Sequence, residues 1–422
     1  MVSLRGMILG SLVLAASVVA ADTTAEVLPQ CAANCAQSTL KQNISTCSDS
    51  DMTCLCTDHL YQSTLEQCVL ANCTVKQSFT AKRLQSQQCN LPTHDGRPAA
   101  DPALIVPLSL ATILFATRIF AKYIHISGSW GWDDYTIIVA YILAVTAFSL
   151  NVSMIHHGFG KDIWNITPFG EITEIMKIFY IYVLVYKIQI SLAKISVCLF
   201  LLRIFQSTAF RYMAYTIIAL NSAIAVTWVL VDALRCTPVH LAWTGWAREE
   251  QGKCINFIVA TFVNSFVNII VDTIMVVMPV YEVIKLNLSA RKKIGVGVMF
   301  AMGLILTIVG ILRVVVFWYN RWNKNPTVEL QPINVWSVIE CQIAVVCACL
   351  PAARAVLVRL FPRLMGGSAG ESSTRRATRP SAPGTSGKIS QTVTYTVEYS
   401  RRAQEQASNS DVNLVEFHRE AV

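Results

Sequence analysis

A helical membrane protein is the fold class this sequence predicts. A small disulfide-bridged module comes first, then a bundle of seven transmembrane helices, then a disordered C-terminal tail. Three observations carry the prediction. Eight of the 14 cysteines fall between Cys31 and Cys89. Seven apolar runs of membrane-spanning length follow, between Ala103 and Leu360. Of the 422 residues 54% are hydrophobic, and mean hydropathy is +0.48. Soluble helical domains keep charged faces toward water, and these runs lack them.

Taken in order, Met1 to Ala20 has a basic start (Arg5), an apolar run from Met7 to Val19 and small residues at Ala20 and Ala21. That pattern predicts a signal peptide cut after Ala20 or Ala21, with a retained anchor as the alternative. The cysteines are spaced Cys31-x3-Cys35-x11-Cys47-x6-Cys54-x-Cys56-x11-Cys68-x4-Cys73-x15-Cys89. An even count at this density in a short segment reads as a disulfide framework, each bridge contributing roughly 2–5 kcal/mol that so small a core cannot. Zinc is excluded by the absence of paired CxxC knuckles and by His59 being the nearest and only local histidine. Disulfides place the module in the secretory lumen or outside the cell. Spacing leaves the connectivity open among 105 pairings.

These residues resemble the CFEM domain of fungal extracellular and membrane proteins. The likeness covers Asp22 to Pro92 and includes all eight cysteines, Pro29, and Asp51 in Asp51-Met52-Thr53-Cys54-Leu55-Cys56. It implies a compact helical basket with bridges Cys31–Cys73, Cys35–Cys68, Cys47–Cys54 and Cys56–Cys89. It also implies a haem site in which Asp51 is the axial ligand of the iron. Read without the family, Asp51 is a helix N-cap or a solvated loop acid, and His59 is the rival ligand. Asn43 and Asn72 stand in glycosylation motifs. Leu91 to Pro102, with three prolines and a glycine, reads as a linker, its centre at residues 93–102.

The predicted spans are Ala103–Ile124, Asp134–Ile155, Ile172–Leu202, Tyr212–Val231, Ile255–Val283, Ile294–Trp318 and Ile333–Leu360. With the module outside, seven spans deliver the C-terminus to the cytosol. The positive-inside rule agrees: ten Lys and Arg fall in the cytosolic segments, including Arg203, Arg211 and Lys285 to Lys293, against six outside. Cys236 and Cys254 then bracket an outer loop as a fifth disulfide, while Cys198, Cys341, Cys347 and Cys349 sit inert in spans. Asn165 is a third, weaker glycosylation acceptor because Pro168 follows its motif; Asn287 is cytosolic and silent.

A second resemblance covers Pro107 to Phe361, to the fungal rhodopsin-like integral membrane domain. Its carriers are Gly131-Trp132-Asp133-Asp134-Tyr135, Gly158-Phe159-Gly160 with Trp164, Lys194, Leu202-Arg203-Ile204-Phe205, Cys236-Thr237-Pro238-Val239 with Trp243, Cys254, Asp272 and Pro279. It implies a G-protein-coupled-receptor-like protein, often with a CFEM domain ahead of the first span. Together the resemblances make the chain an all-α membrane protein, with residues 22–92 as CFEM module, 103–361 as seven-transmembrane domain and 362–422 as tail. Light sensing is rejected, because the seventh span has no lysine to form a retinal Schiff base.

Charges inside the bilayer are the informative residues, since each costs a few kcal/mol unless paired or wet. Depth along the helices pairs Arg313 with Glu340 and Lys194 with Asp272, with Lys187 and Gln189 between. These form either a charge lock within a polar pocket or static ties between helices. Asp133, Asp134 and Glu282 fall near the interfaces and are expected to be solvated or snorkelling. Gly295, Gly297 and Gly303 permit close helix approach, and Pro279 and Pro351 predict kinks.

The tail is polar and Ser/Thr-rich, with Arg375, Arg376 and Arg379 placed to meet anionic lipid. It has no terminal apolar run, so a GPI anchor is not expected. No HExxH, GxSxG or P-loop appears, so the chain reads as a non-enzyme without a nucleic-acid role. The first functional expectation is a plasma-membrane receptor sensing an external or host-surface cue and engaging a heterotrimeric G protein or other cytosolic transducer. The alternatives are a membrane-anchored haem or iron capture protein and an effector-like interaction protein acting on a host.

Overall fold

The computed structural model describes residues 27–42, 44–48, 51–98, 101–126, 128–285, 290–320 and 325–360. The expected signal peptide, Asn43, Asn287 and the 362–422 tail lie outside these, as do the side chains of Lys285 and Arg291 to Lys293.

The module is four helices: α1 (Gln30–Lys41), α2 (Met52–Thr57), α3 (His59–Asn72) and α4 (Val75–Gln88). Cys31 and Cys35 are four residues apart, on one face of α1. They bond Cys73 and Cys68 at the far end of α3, while Cys47–Cys54 and Cys56–Cys89 tie α2 to its neighbours. The core is correspondingly small, centred on Ala32, Cys35 and Val69. Local chemistry sets each helix start. Asp58 accepts the N–H groups of Leu60 and Tyr61 at 2.9 and 3.2 Å. Thr74 and Gln77 exchange reciprocal hydrogen bonds ahead of α4. A hydrogen bond from Ser45 is the main cause holding the Asp58 carboxyl below its ordinary range, with the α3 amides adding to it.

Seven long helices follow: α5 (Pro102–Tyr123), α6 (Trp132–His156), α7 (Gly170–Ile204), α8 (Thr208–Ala233), α10 (Phe257–Lys285), α11 (Ala290–Asn320) and α12 (Pro326–Leu360). Six are long and apolar enough to cross a membrane; α11 carries a shorter apolar stretch at Gly303–Tyr319. At 1.5 Å per residue its 31 residues still extend about 46 Å. Burial divides the bundle. Within their apolar windows α7 and α12 are 56% and 72% buried, whereas α5, α6, α8 and α10 are only 17–33% buried. α7 and α12 therefore form the interior, and the others turn Ile113, Val226 and Phe266 outward. Exposed side chains of that type suit lipid, where no water must be excluded.

Between α8 and α10 a two-residue antiparallel ladder, β1 (Cys236–Thr237) with β2 (Lys253–Cys254), is closed by the Cys236–Cys254 disulfide and encloses the short α9 (Leu241–Thr244). α11 meets α10 closely at Gly303, where a Cβ would overlap Val276. Among the described residues Gly297 meets nothing within 4 Å, and the close approach is seen at Gly303.

Candidate functional site

The CFEM-like module sits on one end of the bundle and is held there by three sets of contacts. Phe79 of α4 lies parallel to Trp246 (centroids 6.1 Å apart) and near Phe169 (6.4 Å), the residue that precedes α7. Arg83 places its guanidinium 5.6 Å from the Phe169 ring, and Lys76 pairs with Glu249 at 2.7 Å. The linker is fastened at His94, whose backbone and ring bond the Asp162 carboxylate at 2.9 and 3.1 Å. Asp162, 2% exposed, also accepts from Asn325 at 2.7 Å, and Asn325 in turn receives the Ile163 N–H. One buried acid thus joins the linker, the α6–α7 loop and the start of α12. Gly160 in that loop, at φ +97°, admits the Gln331 amide where any Cβ would collide.

Within the module lies a cavity of about 390 Å³, walled by Ala32, Leu55, Leu65, Val69 and Phe79, and on the bundle side by Trp164. The Trp164 indole N–H is buried without a hydrogen-bond partner. Asp51 does not line this cavity. It is exposed and spends Oδ1 on the Cys54 N–H at 3.1 Å, capping α2. His59 is also exposed, in the first turn of α3. The largely apolar lining fits an apolar guest, and neither Asp51 nor His59, the two expected iron ligands, belongs to it.

Below the module, two buried ion pairs extend from α7, and a third joins α11 to α12 beside it. Arg313 of α11 pairs with Glu340 of α12 at 2.6 Å, and Glu340 also accepts from Tyr186 at 2.8 Å. Lys194 pairs with Asp272 of α10 at 2.8 Å and donates to Asn268 at 2.9 Å. Lys187 pairs with Asp232 of α8 and lies 5.1 Å from the Trp228 ring centre. Gln189 donates to the Cys341 carbonyl of α12 at 3.2 Å. The structure brings together both sequence-predicted pairs and supplies the Lys187 partner that was missing.

It corrects the reading of the interfacial acids. Asp133 and Asp134 are 3% and 0% exposed rather than solvated, because Arg118 of α5 reaches both, at 2.6 and 2.8 Å. Lys122, near the end of α5, is buried as well and meets Asp134 at 2.7 Å. Glu282, 7% exposed, bonds the Ser207 hydroxyl. A low-dielectric setting explains all of these, since a carboxylate at such depth is tolerated only with a partner. Arg118 was legible as a charge well inside the first apolar run, and Asp232 as an acid one residue past the fourth.

The remaining predicted residues fall as follows. Asn72 is exposed and donates to the Cys68 carbonyl at 2.9 Å. Asn165 is half-buried in a 3-10 turn (Ile163–Asn165) beside Trp164. Cys198, Cys341, Cys347 and Cys349 are buried thiols outside the disulfides.

Comparison with known proteins agrees with this architecture. A CFEM domain model matches residues 24–90, and a fungal rhodopsin domain model matches residues 117–359, more than half of the chain. The chain is 25% identical over 279 residues to the polyenoic acids biosynthesis gene cluster protein Ba17b of Metarhizium anisopliae, covering 63% of this chain and 74% of that protein. It is 26% identical over 296 residues to an SAT4 family membrane protein of Emericella nidulans, covering 69% and 70%. Receptor GIN3 of Arthrobotrys oligospora is 24% identical over 248 residues, 58% of each chain. No solved structure matches significantly. A disulfide-stapled CFEM domain docked on a multi-pass helical bundle thus makes this chain a member of the fungal rhodopsin domain family.

Proposed function

We propose that the protein is a plasma-membrane receptor, with the CFEM domain outside the cell and the C-terminal tail in the cytosol. The observation that carries this reading is the shared wall. Trp164 of the bundle closes the CFEM cavity, and Phe79 of the module packs on Phe169 at the head of α7. A guest in the cavity then touches the element that organises the buried ion pairs. Those pairs are the two-state element a receptor needs, since charges in a low dielectric hold one packing until their partners change. The receptor name of one relative and the membrane-protein name of another support the class of function. The cytosolic faces for a G protein or other transducer are the α7–α8 turn at Arg203 to Arg211 and the segment Lys285 to Lys293. Cluster names among other relatives attach no reaction to this chain.

The test uses the full chain in intact cells, with one tag inserted just after the expected cleavage site at Ala21 and one at the C-terminus. The N-terminal tag is accessible and the C-terminal tag only after permeabilisation. A cAMP or kinase response to an external cue is lost when Lys285 to Lys293 is scrambled, with surface expression unchanged. Equal access to both tags, or a response that survives scrambling, overturns the proposal. Membrane-tethered haem capture is the second reading, favoured by the apolar cavity and opposed by the capping role of Asp51. Haem titration of the full chain beside Asp51→Ala separates the two.

A further inference from the structure

Arg313 is 5% exposed and divides its donors unevenly. Among the described residues Nη1 holds Glu340 at 2.6 Å, Nη2 has only the neutral Ser265 hydroxyl at 3.1 Å, and Nε is buried with no partner. One edge of the guanidinium, Nε with Nη2, is therefore a fork without an anion. Arg313 lines a cavity of about 50 Å³ near the module end of the bundle, together with Lys187, Tyr182, Phe257, Phe317 and Asn334. The Asn334 side-chain oxygen is likewise buried without a partner.

We propose that this cavity binds a small carboxylate, its two oxygens on Nε and Nη2 of Arg313 and its short apolar body against the aromatic walls. Guanidinium and carboxylate are planar and match in a bidentate fork, which a spherical halide cannot use. Volume limits the guest. A single water takes about 10–15 Å³ of this measure, so the cavity holds only a few waters or a chain of a few carbons. Charge sets the consequence. Arg313 and Lys187 are already balanced by Glu340 and Asp232, so an arriving carboxylate competes with Glu340 for Arg313. Glu340 keeps its bond from Tyr186, and the tie between α11 and α12 weakens. This inference deepens the receptor reading by naming a ligand class, and it rests on that reading for its signalling consequence only.

The experiment measures thermal unfolding of the full-length protein in lipid nanodiscs with acetate, propionate or butyrate, against the matching amides and chloride. The carboxylates raise the midpoint saturably, while amides and chloride do not. Arg313→Lys keeps the charge but loses the fork, and weakens carboxylate binding by about tenfold or more. Ser265→Ala frees Nη2 and tightens binding a few-fold, a gain that a purely structural role would not produce. An equal shift with the amides, or unchanged affinity in Arg313→Lys, overturns the site. Should Arg313→Lys fail to fold, unchanged or weaker binding in Ser265→Ala overturns it instead. Carboxylate binding without any cellular response removes the receptor reading and leaves the site; absence of binding removes the site alone.

Discussion

Replacing Arg118 with Met isolates the buried charge cluster that joins α5 to α6. The guanidinium is 1% exposed and donates to Asp134 (3.0 and 2.8 Å), Asp133 (2.6 Å) and the Ala348 carbonyl of α12 (2.5 Å). Methionine fills similar apolar volume, so the loss is mainly electrostatic. Asp134 survives the change with Lys122 and the Gly131 N–H. Asp133 does not, since its nearest remaining cation is Arg203 at 3.9 Å. Stranding one buried carboxylate costs about 3–5 kcal/mol, a large share of a total stability of roughly 5–15 kcal/mol. At about 2–4 °C per kcal/mol, the unfolding midpoint of the purified protein falls by on the order of 10 °C. Asp133→Asn in the same background restores part of this, because it removes the stranded charge, giving a coupling of about 1–3 kcal/mol. A midpoint for Arg118→Met within a few degrees of wild type, or strict additivity in the double variant, refutes the claim that these acids depend on Arg118.

Two further outcomes follow from local geometry. Gly303→Ala drives a methyl into Val276 and costs about 1–3 kcal/mol, whereas Gly297→Ala, with nothing within 4 Å, is near neutral; equal effects in thermal melts contradict the close α10–α11 contact. For Asp58 the folded-state carboxyl lies below its ordinary value of 3.8, so its contribution is present above that pH and is lost as pH falls through the lower folded value. Amide protection at the start of α3, taken relative to intrinsic exchange at each pH, therefore falls on acidification below about pH 4. Asp58→Asn, still a competent cap, abolishes that loss of protection while leaving neutral-pH protection nearly unchanged; a persisting loss points to another group.

The sequence alone determined the class of the molecule. Eight cysteines in so short a segment demand bridges whatever the fold, and apolar runs of twenty residues demand a bilayer, because both follow from local composition. The pairs Arg313–Glu340 and Lys194–Asp272 were legible too, since depth along a helix is nearly linear in residue number. Tertiary structure alone decided which residues share a neighbour across helices. Asp133 and Asp134 look interfacial by position, and only the seating of α5 against α6 and α12 shows that Arg118 buries them. Likewise nothing in the linker marks His94, and nothing in the α6–α7 loop marks Asp162 or Trp164, as the places where module and bundle meet. Sequence fixes depth and periodicity along one helix, but rotation about its axis and the choice of partner come from packing.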